Sequence, residues 1–144
     1  MLIRSATASD VPTLARLACC LWGGTPDERL ADFAQLSNSP EAACFLAFDG
    51  EDAIGFAQCQ LRHDYVEGCS TSPVGFLEGL YVDPAHQRQG VAKQLIAACE
   101  DWSRRLGCTE FASDCELDNT ASLAFHLAAG FEEAGRTIWF RKDL

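Results

Sequence analysis

Phe76-Leu77-Glu78-Gly79-Leu80-Tyr81-Val82-Asp83-Pro84-Ala85-His86-Gln87-Arg88-Gln89-Gly90-Val91-Ala92-Lys93 decides the fold. Its first half, Phe76 to Val82, is apolar except for one charge, Glu78. Proline cannot donate to a sheet ladder, so Asp83-Pro84 should end a strand there. After a short turn, Gly90 opens a long amphipathic run to Leu106, with Val91, Leu95, Ile96, Cys99, Trp102 and Leu106 at helical spacing. A strand, a turn and a glycine-bearing helix start make a place to hold an anion. Unpaired N–H groups and the positive end of the helix dipole meet there, and Gly90 lets the backbone come close. An ordinary strand-to-helix turn has the same parts, so the loop alone does not name a ligand.

Outside this stretch the order of elements is readable. Leu2 to Ser5 is a short first strand. Ser9 or Asp10 can cap a helix with Pro12 in its first turn, carrying Val11, Leu14, Ala15, Leu17, Ala18 and Leu21. A second helix starts at Thr25 or Pro26 and stops at Asn38-Ser39-Pro40. Cys44–Phe48 and Ala53–Arg62 pair as a hairpin across Asp49-Gly50-Glu51-Asp52. His63 to Gly75 is a polar loop of functional length. After the central strand and helix, Gly107 is a C-cap, Cys108–Ser113 is a strand ending at Asp114, and Asn119 opens a last helix that stops at Gly130. Phe131–Ala134 and Thr137–Arg141 are expected to close the chain as a hairpin. The expectation is one α/β domain over residues 1–144, a mixed central sheet flanked by helices.

The chain carries 21 acidic and 11 basic residues, a formal net charge of −10. That argues against nucleic acid as a partner, because such binding rests on neutralising phosphates with Lys and Arg. It suits a cationic ligand, and it equally suits plain solubility. No apolar run approaches the ~20 residues of a membrane span, and no leader is read at Met1-Leu2-Ile3-Arg4-Ser5, so a cytoplasmic location is expected. The eight cysteines contain no C-x-x-C pair, and no metal site is read from them. Cys44, Cys59 and Cys99 fall in apolar runs as reduced, buried hydrophobes, and Cys69 is expected to be the most exposed.

Gln87, Gly90 and Ala92 match the Gln/Arg-x-x-Gly-x-Gly/Ala loop of the GNAT N-acetyltransferases, and the whole element order is similar to that fold. Within the superfamily the chain resembles the aminoglycoside 6′-N-acetyltransferases of type I. The resemblance lies in Arg62-His63-Asp64-Tyr65-Val66-Glu67-Gly68, Ser72-Pro73-Val74, Phe76-Leu77-Glu78-Gly79, Cys108-Thr109-Glu110-Phe111-Ala112-Ser113-Asp114, and His126 followed by Ala129-Gly130-Phe131.

The resemblance implies transfer of acetyl from acetyl-CoA to the 6′-amine of a cationic aminoglycoside, antibiotic resistance and a homodimer. It implies that Glu78, Asp114, Trp22 and Tyr65 line the acceptor site, with Glu78 as base or water-holder. It gives backbone contacts to the cofactor from Leu80, Tyr81 and Val82, with the Val82 N–H on the thioester oxygen. Arg88, Gln89, Gly90, Val91, Ala92 and Lys93 would cradle the pyrophosphate, and Asn119 would touch the pantetheine arm.

Each residue also has a structural reading. Glu78 can pair with an arginine, Asp114 or Asn119 can cap a helix, and Trp22 and Tyr65 can simply pack. His126 stands where many acetyltransferases carry a proton-donating tyrosine, and Gly135 stands where close relatives carry an acidic substrate contact, unless Glu132 or Glu133 replaces it. No cysteine has a nucleophile's setting, so direct attack in a ternary complex is expected. An acetyltransferase for a polyamine or protein N-terminus, and a CoA-binding module without chemistry, share the cofactor loop.

Overall fold

In the computed structural model, which describes residues 1–144, the central strand runs from Val74 to Val82. With Leu2–Ser5, Ala42–Asp49, Asp52–Arg62 and Phe111–Ser113 it forms a five-stranded sheet, β1 to β5 in spatial order, with Val74–Val82 as β4. The first three pairings are antiparallel and β4–β5 is parallel. A parallel neighbour needs a crossover, and the helix Val91–Arg105, here α3, supplies it.

Helices α1 (Val11–Trp22) and α2 (Pro26–Ser37) cover one face, and α3 covers the other. On the α3 side Val91, Leu95, Ile96 and Cys99 pack against Phe45, Cys59, Leu77 and Val82. On the opposite side Leu14, Leu17 and Ala18 of α1 and Phe33 of α2 pack against Leu46 and Phe56. The last helix, α4, spans Thr120–Ala128.

The helix starts follow from local chemistry. Thr25 and Glu28 form a capping box ahead of α2, and Asn119 accepts from the Ser122 N–H at 3.1 Å ahead of α4. A short 3-10 turn at Ala8–Asp10 precedes α1, so Asp10 works inside a capping box with Thr7 rather than as a simple cap. Arg4 grips Asp10 through two bonds of 2.7 and 2.9 Å, and this lowers the Asp10 carboxyl to about 2.

Three expectations need correction. The closing hairpin is absent: Phe131 packs on His126 and Phe111, but 131–144 has neither helix nor strand. Ile138, Trp139 and Phe140 are 74, 90 and 90% exposed. Their β-branched and aromatic side chains are strand-forming, yet a strand exists only where an edge pairs with it, and β5 is three residues long. The strand read from Cys108 contracts to Phe111–Ser113 for the same want of partners. Among the cysteines, Cys20 and Cys115 are exposed while Cys69 is half-buried, because the His63–Gly75 loop folds back on Glu110. Cys44, Cys59 and Cys99 are buried, and burial pushes the Cys44 thiol up to about 12.

Candidate active site

The site is built on an irregularity in β4. Gly79 pairs with Gln58 and Leu77 with Cys59, which leaves Glu78 as the extra residue of a β-bulge. A bulge turns its strand and re-aims a side chain. Here it ends pairing on the other edge too, because β5 meets β4 only at Gly75–Leu77. Beyond the bulge that edge of β4 is free.

The free edge faces the cofactor half of the sequence motif. Asp83 donates its N–H to the Ile54 carbonyl of β3 at 2.7 Å. Antiparallel ladders alternate, so the N–H groups of Val82 and Leu80 turn the other way, into the gap left by β5. The Tyr81 ring sits on the α1 side instead, where burial and the Cys20 thiol raise its phenol. At the end of the strand the Gln87 side chain donates to the Val82 carbonyl at 3.3 Å.

Arg88 and Gly90 then take left-handed φ values of 64° and 80°. This curls the loop around the first N–H groups of α3, those of Val91, Ala92 and Lys93, which have no partner inside the helix. A phosphate-bearing cosubstrate fits such a backbone cradle. Arg88 and Lys93 add positive charge beside it.

Glu78 looks the other way. Paired residues of a ladder share a face, and Gln58, Gln60, Arg62, Phe76 and Gly79 all turn toward α1 and α2. On that face a cleft of about 660 Å3 is lined by Trp22, Asp32, Glu41, Gln58 and Gln60 among others. The Trp22 indole lies directly on Gly79, edge-on to Phe56, and Arg29 stacks on it at 5.4 Å while donating to the Gly23 carbonyl. Glu78 is not the lone acid that its apolar neighbours suggested. Arg62 Nε and Nη2 both donate to its Oε1, at 2.9 and 2.8 Å, and Nη2 reaches Oε2 at 3.1 Å.

The other candidates are dispersed. Asp114 follows the end of β5 with an exposed side chain and no hydrogen bond or ion pair, while the capping of α4 falls to Asn119. Tyr65 is 76% exposed in the loop after β3, and its hydroxyl takes only a long 3.4 Å bond from the Gly68 N–H. Glu133 is paired with Arg136, whereas the Glu67 side chain lies over Gly135, 3.2 Å from where a Cβ would stand. His126 is bonded at both nitrogens. Its Nδ1 donates to the Ser122 carbonyl at 2.7 Å, which leaves Nε2 to accept from the Ser113 hydroxyl at 2.8 Å in the neutral ring.

Arg62 and Ser113 are the residues that sequence reading passed over. The alternation that puts Gln58 and Gln60 on the cleft face extends to Arg62, and that period was the available clue.

Comparison with known proteins fits this geometry. The acetyltransferase (GNAT) family profile matches residues 12–131. The chain belongs to that family. It is 50% identical over 123 residues to the aminoglycoside N(6′)-acetyltransferase type 1 of Salmonella typhimurium, covering 85% of each chain. It is 46% identical over 144 residues to the protein of the same name in Stenotrophomonas maltophilia, covering 99% of this chain and 93% of that one.

Among solved structures, the aminoglycoside 6′-N-acetyltransferase of Acinetobacter haemolyticus superposes with a TM-score of 0.94 at 40% identity, covering 100 and 99% of the two chains. AAC(6′)-Iy, in complex with the bisubstrate analog CoA-S-monomethyl-acetylneamine, superposes with a TM-score of 0.93 at 44% identity, covering 99 and 98%. The chain is a GNAT-fold, acetyl-CoA-dependent acetyltransferase of the aminoglycoside 6′-N-acetyltransferase group.

Proposed function

We propose that this chain, as one GNAT domain over residues 1–144, acetylates the 6′-amine of aminoglycosides by direct attack on acetyl-CoA in a ternary complex, and so confers resistance. The observation that supports this is that one strand, β4, presents a carboxylate on one face and unpaired N–H groups on its free edge. The Glu78 carboxylate stands on the α1/α2 face of β4, and the Leu80 and Val82 N–H groups stand on its free edge two and four residues on.

A primary amine is mostly protonated at neutral pH and must lose a proton before it attacks. Glu78 binds that amine and passes its proton to water. The amine nitrogen then bonds to the thioester carbon while the Val82 N–H donates to the developing oxyanion; the nitrogen gives its next proton to water, and the C–S electron pair leaves on sulfur as the CoA thiolate. Trp22 and Tyr65 flank the sugar, and Asp114 meets a second ammonium. Arg88–Lys93 hold the pyrophosphate through backbone N–H groups and charge, with Leu80 and Asn119 along the pantetheine, while Tyr81, paired to β3 with its ring on the α1 side, is turned away from it.

The names of the relatives support the 6′ regiochemistry. A coupled acetyl-CoA assay with kanamycin, tobramycin and a 6′-hydroxyl aminoglycoside tests it. Turnover is expected on the first two alone, and equal turnover on the 6′-hydroxyl compound refutes it. Loss of acceptor turnover with retained CoA binding in Glu78→Ala and Asp114→Ala separates this reading from a bare CoA-binding module, which needs neither carboxylate.

The exposed Ile138-Trp139-Phe140 segment supports a homodimer in which a second copy covers it, since monomers rarely leave such apolar runs bare. No helix is long and apolar enough to cross a membrane, and a cytoplasmic enzyme is the reading that fits an acetyl-CoA user.

A further inference from the structure

Arg62 closes β3 on the cleft face, and every side-chain bond it makes goes to Glu78. Its guanidinium carbon sits over the Phe76 ring, 3.5 Å from the centroid, so the fork is braced from below. Arg62 is also the sole charged partner of Glu78. The other charges facing this cleft are committed or elsewhere. Arg29 is spent on Trp22 and Gly23, Glu41 is paired with His63, Asp32 lines the α2 wall, and Asp114 lies beyond β5.

We infer that Arg62 is a positioning residue for the acetyl transfer: it fixes the Glu78 carboxylate and offsets its charge, so that Glu78 orients the acceptor amine without trapping it as ammonium. The inference rests on the reading of Glu78 as the amine contact. A bare carboxylate beside an amine favours the protonated form, and an ammonium has no lone pair with which to attack. Such a residue binds the ground state well and slows the reaction, which is binding in the wrong place.

With Arg62 in the fork the amine meets a near-neutral pair. Oε1 is occupied by two donors, and Oε2, with one long bond, keeps lone pairs for the substrate N–H. The proton then leaves to water while its electron pair stays on nitrogen. Arginine rather than lysine suits the task, because only its planar fork serves both oxygens and stacks on an aromatic ring.

The test is the pH dependence of single turnovers at saturating tobramycin and acetyl-CoA. In Arg62→Gln the unpaired Glu78 stabilises the ammonium. The alkaline-rising limb should therefore move up by about one pH unit, with a roughly tenfold loss near neutrality that is recovered at high pH. The acceptor KM should stay level or fall. Arg62→Lys keeps the charge and should show a smaller shift, and it carries the test if Arg62→Gln fails to fold, as judged by melting and CoA binding.

A loss that is equal at every pH, or a raised KM with an unmoved limb, overturns the inference. Glu78→Gln separates the two levels. If it leaves acceptor kinetics unchanged, the reading of Glu78 itself falls; if it impairs them while Arg62→Gln leaves the limb in place, the role of Arg62 alone falls.

Discussion

Replacing Gly79 by alanine tests whether Trp22 belongs to the acceptor site. A Cβ at position 79 would stand 2.5 Å from Cζ2 and 2.6 Å from Cη2 of the indole, against 3.5 Å to the Leu21 side chain. Carbon atoms in contact sit at about 3.5–4.0 Å, so the ring must shift by roughly an ångström. Trp22 is 45% exposed, and it can swing outward instead of compressing the core.

The overpacking cost then falls at the low end of about 1–3 kcal/mol. Part of that is the edge-on contact with Phe56, at 6.0 Å between centroids, and such pairs contribute about 0.5–1.5 kcal/mol. A loss of about 1–2 kcal/mol in urea unfolding is expected. Because the same ring lines the cleft, the acceptor KM should rise about tenfold, equivalent to ~1.4 kcal/mol. CoA binding, measured by calorimetry, should hold, since the proposed cosubstrate site lies along the free edge of β4 and not on the face that Trp22 covers. A variant destabilised by that amount with an acceptor KM within twofold of the parent would remove Trp22 from the site. One with unchanged stability would refute the packing argument itself.

Other predictions follow from the ion pair at the N-terminus and from the open C-terminal segment. Asp10 has a folded value of about 2 against an ordinary 3.8, so its contribution is fully present above about pH 4 and is lost as pH falls through about 2. Asp10→Asn should cost about 1–2 kcal/mol at neutral pH, discounted because the Arg4 side chain is 40% exposed, and the gap should shrink on acidification. A gap constant from neutral pH to about pH 2 counts against the pair. Deleting residues 136–144, which contain the exposed Trp139 and Phe140, should convert a dimer to a monomer by light scattering. A parent chain that is itself monomeric refutes the dimer.

How much of this was legible beforehand depended on whether a feature is local. Pro84 after an apolar run, Thr25 and Glu28 around Pro26, and Asn119 before α4 act within a few residues, so strand end and caps could be read directly. The hairpin at Phe131–Arg141 fails for the opposite reason. Its residues favour a strand, but a strand needs an edge supplied from elsewhere, and within one chain Trp139 and Phe140 find none.

The bulge at Glu78 was invisible because it changes pairing and not composition. Its effect on the site is the largest of all. The cost of burying a charge singled out Glu78 in the sequence, and the same principle requires a compensating partner. Sequence could not say whether protein or substrate provides it. The structure places Arg62 there, sixteen residues away in the chain. On the proposed reading Glu78 meets the amine already paired, so the site's preference between ammonium and free amine would be set by two residues on neighbouring strands rather than by one acid.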